Sequence, residues 1–171
     1  MIYLVLGLIL ALIAVVLLIS SGRRQRAAGL PPGRVIYSDM HGWQPVEKAL
    51  FDPLHAIAGK PDYLVEQNGR VVPVEVKSGW ARELPHESHV FQLAAYCRLV
   101  EYTTGKRPPY GILKYRNRTF AVDYTPQLEQ RLIDLLVEIR QQARRGTADR
   151  SHEEPPRCAR CGFRSICDQK L

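Results

Sequence analysis

The dipeptide Asn68-Gly69 lies between two valine-rich runs whose side chains alternate in character, "PDYLVEQ" before it and "RVVPVEVK" after it. A two-residue hairpin loop of type I′ needs positive φ at both central positions, and Asn followed by Gly meets that need at least cost. The turn therefore fixes a register. Gln67 faces Arg70, Glu66 faces Val71, and Asp62 faces Glu75. Directly opposed residues share one side of a sheet, with Cβ atoms about 4.5–5.5 Å apart. Lys77, two residues beyond Glu75, projects from that side as well. Val72, Val74 and Val76 are expected on the other side, in the core. Pro73 is the one residue that could disturb this pairing, because proline favours strand edges and bulges, and a bulge would shift the register by one.

Two facing carboxylates repel each other, so something must offset the repulsion. A divalent cation held between Asp62 and Glu75 would do so, and so would Lys77 on a solvated face. The cation reading suits phosphodiester hydrolysis. Mg²⁺ or Mn²⁺ on Asp62 and Glu75 would polarise a phosphate and acidify a bound water. Lys77 would orient that water or stabilise charge on phosphate oxygens. The formal net charge of +7 favours a polyanionic partner such as DNA, or an anionic membrane surface.

The rest of the chain supplies a frame for one domain with an appendage at each end. Residues 2–19, "IYLVLGLILALIAVVLLI", carry no charge. As a helix they would extend roughly 27 Å, close to the hydrocarbon thickness of a bilayer. Arg23, Arg24 and Arg26 follow directly, which by the positive-inside rule keeps the following domain in the cytoplasm. A single-pass transmembrane anchor is thus expected over residues 1–22, then a linker over 23–34. The segment "ESHVFQLAAYCRLVEYTTG" predicts a helix, with Val90, Leu93, Ala94 and Cys97 on its inner face and Gly105 at its end. A second hairpin turns near Arg116-Asn117. An amphipathic helix spans residues 126–145, its stripe formed by Leu128, Leu132, Leu135, Leu136 and Ile139. Mixed strands and helices predict an α/β domain over residues 35–146, a small sheet flanked by helices. Residues 147–171 form a tail in which Cys158, Cys161 and Cys167 have C-x₂-C-x₅-C spacing, a pattern that can chelate a metal centre.

Pro61-Asp62 followed by Glu75-Val76-Lys77 resembles the signature of the PD-(D/E)xK nucleases. "QLAAY", Gln92 to Tyr96, resembles the QxxxY motif of the RecB-like branch, and the two residues lie four apart on one helical face. The likeness is nearest to the CRISPR-associated RecB-like exonucleases that end in a cysteine cluster. It implies a restriction-endonuclease-like core, DNA as substrate and a role in DNA processing alongside protein partners. It also implies a catalytic set of Asp62, Glu75, Lys77, Gln92 and Tyr96, with Asp62 and Glu75 on the metal. For the tail it implies a [4Fe–4S] cluster, with Zn²⁺ as the other candidate, at Cys158, Cys161 and Cys167.

The chain departs from that pattern in two places. No cysteine precedes Asp62 to complete a cluster, and Cys97 reads as core packing. An upstream histidine that would join the metal has only His41 and His55 as candidates, with Glu47 as a substitute. Two functions follow. One is a membrane-anchored, metal-dependent DNA nuclease. The other is a degenerate nuclease fold that binds nucleic acid or a partner at the membrane without cleaving.

Overall fold

A computed structural model describes Gly7, Leu12 and residues 34–35, 43–146 and 149–171. Apart from Gly7, Leu12 and Arg34, the expected anchor over 1–22 and linker over 23–34 lie outside the described residues, as does His41. Among the described residues, no helix is long and apolar enough to cross a membrane. The elements in chain order are β1 (Arg34–Val35), β2 (Trp43–Pro45), β3 (Leu50–Asp52), β4 (Ile57–Gly59), β5 (Tyr63–Gln67) and β6 (Arg70–Val76). They are followed by α1 (Glu87–Thr104), β7 (Tyr110–Lys114), β8 (Thr119–Asp123), α2 (Pro126–Arg145) and α3 (Pro155–Ala159). The chain divides into two compact units, Met1–Ile133 and Asp134–Leu171.

The first unit is built on a six-stranded mixed sheet in the order β1-β8-β7-β6-β5-β2, with a separate two-stranded ribbon of β3 and β4. The β5–β6 hairpin has the register that Asn68-Gly69 demands, from Gln67↔Arg70 to Tyr63↔Val74. Asn68 and Gly69 both have positive φ, 51° and 70°. Pro73 causes no bulge. It faces Leu64 at a position where, by the alternation of an antiparallel ladder, its nitrogen points away from β5. The parallel ladder to β7 begins only at the next residue, Val74↔Ile112, so no sheet hydrogen bond is lost.

The two faces of β6 are both covered, but differently. Val65, Val72, Val74 and Ile112 form one cluster, flanked by Trp43, Tyr63 and Tyr110. The opposite face receives α1, whose buried side includes Val90, Leu93, Ala94 and Cys97, as its spacing predicts. Gly111 makes this close seating feasible, since a Cβ there would meet Leu93 Cγ at 2.6 Å. Val76 departs from the expected core position and is 38% exposed. It lies past the last β5 partner, at the open end of the sheet, and pairs with Lys114 of β7 alone.

α1 ends at Gly105, whose φ of 68° and N–H bond to the Glu101 carbonyl close the last turn. Behind α1, Asp52 is fully buried. It accepts from Arg98 Nε at 3.0 Å, from the Leu54 and His55 N–H groups, and pairs with His55 Nδ1 at 2.8 Å. Burial by itself would raise the Asp52 pKa, but the His55 and Arg98 bonds hold it below the ordinary aspartate value. Arg98 and Arg107 in turn share Glu101 and Glu129.

The apolar stripe of α2 is buried only in its first turns. Leu128 and Leu132 are enclosed, whereas Ile139 is 52% exposed, because the helix leaves the first unit after Ile133. In the second unit Arg150 ties the ends of the tail together, reaching the Gln169 side chain and carbonyl, the His152 carbonyl and the Glu153 carboxylate.

Candidate active site

The hairpin register carries Asp62 and Glu75 to the same end and face of the sheet. Asp62 sits just before β5 and is exposed; its Oδ2 accepts the Val76 N–H at 2.7 Å. Glu75 lies in β6 and is 7% exposed. Burial pushes its pKa above the ordinary glutamate value, and the neighbouring charge of Asp62 adds to that, while Lys77 opposes it.

Three donor contacts then converge through one amide. Lys77 Nζ donates to Glu75 Oε1 at 2.8 Å and to Gln92 Oε1 at 2.7 Å. Gln92 Nε2 donates to the same Glu75 oxygen at 2.8 Å and to the Tyr96 hydroxyl at 2.9 Å. A side-chain amide carries both an acceptor and donors, which lets Gln92 meet a lysine and a carboxylate at once. The i, i+4 spacing on α1 brings Gln92 and Tyr96 over β6, where the sequence places them. Burial raises the Tyr96 pKa, which keeps its phenol protonated. All five residues singled out from the sequence are thus in one connected group: Glu75, Lys77, Gln92 and Tyr96 by hydrogen bonds, Asp62 beside Glu75.

One neighbour escaped the sequence reading. His89 is three residues before Gln92 and on the same helical face. Its Nδ1 lies 2.7 Å from the Tyr115 hydroxyl, which also accepts the His86 N–H. Burial, then the charge of Lys77, lowers the His89 pKa, so the ring is neutral. The i−3 spacing from Gln92 was the available signal.

The residues fit a hard divalent cation in part. Asp62 and Glu75 offer two carboxylates whose mutual repulsion a cation would relieve, and Mg²⁺ is commonly held by one or two carboxylates with water completing its shell. His55 does not join them. It is bound to Asp52, which is tied to Arg98 of α1, and Arg98 points roughly 200° around the helix from Tyr96. Glu47 is exposed and has no hydrogen bond to the group. Among the described residues, no three or more His, Cys, Asp or Glu side chains are grouped to hold a metal. The metal centre expected in the tail draws no support from that finding. Cys158 is buried, Cys161 exposed and Cys167 half-buried, all three are free thiols, and they are not grouped to hold a metal among the described residues.

The chain matches the family model of the PD-(D/E)XK nuclease superfamily over residues 21–168.

Proposed function

Because the chain belongs to the PD-(D/E)XK nuclease superfamily, we propose that it hydrolyses DNA phosphodiester bonds with Mg²⁺ or Mn²⁺ on Asp62 and Glu75. The observation that carries the reading is the double contact on Glu75 Oε1, from Lys77 and from Gln92, beside Asp62 at the open end of the sheet. When bound, the cation supplies positive charge at the phosphate and an acidified water.

The chain's own groups divide the remaining work. Asp62 has one oxygen fixed by the Val76 N–H, which leaves the other to meet a cation. Lys77 has three N–H donors and uses two, on Glu75 and Gln92. The third is left for a phosphate oxygen, where charge grows as the phosphorus is attacked. Gln92 holds Lys77 at that angle. Tyr96, whose oxygen accepts from Gln92, keeps its own proton to donate outward.

The reading extends to the RecB-like exonuclease branch, supported by Gln92 and Tyr96 on one face of α1 over Glu75. It extends also to a single-pass anchor at residues 1–22 with the nuclease unit in the cytoplasm, supported by the uncharged run and the arginines after it. A [4Fe–4S] or zinc centre at Cys158, Cys161 and Cys167 rests on their C-x₂-C-x₅-C spacing alone and carries none of this reading. A second reading, DNA binding without cleavage, draws support from a ligand set of only two carboxylates. Incubating the purified protein with linear DNA and Mn²⁺ separates the two. The nuclease reading requires cleavage that EDTA stops and Asp62→Asn abolishes; binding with no cleavage under any divalent metal favours the second.

A further inference from the structure

Beyond Lys77 the chain leaves the sheet through Ser78 and Gly79 to Trp80, and the indole is 71% exposed. An exposed tryptophan on a mobile loop would mean little. This one is pinned on both sides. The Gly79 carbonyl accepts the Arg116 N–H at 3.2 Å. On the other side, Asn117 closes a two-point pair with Ala81: Oδ1 accepts the Ala81 N–H at 2.9 Å, and Nδ2 donates to the Ala81 carbonyl at 2.8 Å. Ala81 itself is buried, 7% exposed. Three hydrogen bonds to the β7–β8 turn therefore fix the backbone of Trp80 while its ring meets solvent. The ring has no aromatic or cationic partner among the described residues.

The charge around it has one dominant sign. Arg82 follows the pinned segment, and Arg116 and Arg118 flank the asparagine that clamps it. All three are exposed, and none pairs with a carboxylate among the described residues. Glu75, Glu83 and Glu87 are the nearby acids in sequence, and Glu75 is paired with Lys77. The three arginines outnumber the two acids that remain. Trp80 is three residues from Lys77, so its Cα lies within roughly 11 Å of the Lys77 Cα. That is about three base steps of a stacked strand.

We infer that Trp80, held by the Asn117 clamp and bordered by Arg82, Arg116 and Arg118, is a base-stacking subsite for unpaired DNA beside the Lys77 end of the site. The inference rests on the nuclease reading for its ligand, and it adds a residue-level contact that this reading does not contain. An indole face accepts any base, and arginines on either side take the phosphates. A base inside a duplex has both faces occupied by its neighbours and is not available to Trp80. A fixed backbone means little ordering is needed when a base arrives.

The test is binding of an unpaired eight-thymidine strand to the full-length protein in detergent, with EDTA present so that nothing is cut. The strand should quench tryptophan emission in the wild type, and Trp80→Phe should remove most of that quenching. Trp80→Ala should weaken binding about 5- to 100-fold, the effect of losing one stacked base. Trp80→Phe should restore most of the affinity, and Asn117→Ala should fall between. Affinity for a relaxed, covalently closed duplex circle should change by no more than about 2-fold, well below the stacking effect. Unchanged affinity of Trp80→Ala for the thymidine strand overturns the inference, as does an equal loss on duplex. Quenching by anionic vesicles but not by DNA overturns it in favour of a membrane contact. The two proposals fail separately. Normal strand binding by Trp80→Ala removes the subsite and leaves the nuclease reading intact. Quenching by the strand without cleavage under Mn²⁺ removes the nuclease reading and leaves the subsite.

Discussion

Gln92 Nε2 lies 2.8 Å from Glu75 Oε1, and this contact joins helix α1 to the central strand of the sheet. The same amide accepts from Lys77 at 2.7 Å, so Gln92 sets where the lysine points. Gln92→Ala should therefore lower the cleavage rate about 10- to 100-fold, less than loss of a direct transition-state donor. Its KM for DNA should stay near wild type, because Lys77 keeps its charge. Steady-state kinetics under saturating Mn²⁺ check this; a pure KM effect would place Gln92 in substrate binding instead.

Glu75 gives a pH prediction with a definite sign. Burial and the Asp62 charge raise its native pKa above the ordinary glutamate value. The native state then binds more protons than the unfolded state between the two values, so its contribution to stability falls as pH rises through that window. Glu75→Gln keeps an acceptor for Lys77 and Gln92 and removes the buried charge. Metal-free Glu75→Gln at neutral pH should melt at or above the wild-type temperature, each kcal/mol gained being worth about 2–4 °C in a chain of this size. Mn²⁺ should then raise the melting temperature of the wild type and not of the variant. Calorimetric scans with and without Mn²⁺ read both effects.

Asp52 should act in the opposite sense. Its pKa is held below the ordinary aspartate value by His55 and Arg98 against the effect of burial. The stability it provides is present above the ordinary aspartate range and is lost as pH falls through its lower native value. Asp52→Asn takes the buried carboxylate from Arg98 and His55 and should cost about 3 kcal/mol, the low end for breaking a buried pair. Glu101 and Glu129 remain for Arg98, which is why the low end applies. Urea unfolding at pH 7 measures the loss, and the gap between the two proteins should narrow in acid.

Gly59 couples the β3–β4 ribbon to the site. A Cβ there would stand 2.7 Å from Tyr96 Cε1 and 3.1 Å from Leu99 Cδ1. Gly59→Ala should therefore push the Tyr96 ring off Gln92, with an overpacking cost of about 1–3 kcal/mol. Reduced cleavage together with a lower melting temperature is the expected pair of results. Wild-type values for both would mean that Tyr96 yields without disturbing Gln92.

The chemistry-bearing half of the domain was legible because local rules fix it. Asn68-Gly69 set the register that brings Asp62 to Glu75, and helical spacing put Gln92 and Tyr96 together. Long-range pairing had no such marker. That β6 runs parallel to β7, or that β2 adds to the edge beside β5, depends on contacts distant in the sequence. The Asp52–Arg98 pair joins residues far apart in the chain, and neither has a motif. His55 is only a candidate ligand in the sequence, which gives no sign that Asp52 holds it. For the cysteines, spacing showed that chelation is possible but could not show whether the thiols converge.

The most direct test of the account compares wild type with Lys77→Met in single-turnover cleavage of DNA under Mn²⁺, with calorimetric Mn²⁺ binding measured on both. Lys77 is treated as a group that meets the phosphate, while Asp62 and Glu75 hold the cation. The account predicts that Lys77→Met still binds Mn²⁺ and cleaves about 10²- to 10³-fold more slowly. Cleavage by Lys77→Met at the wild-type rate would contradict it.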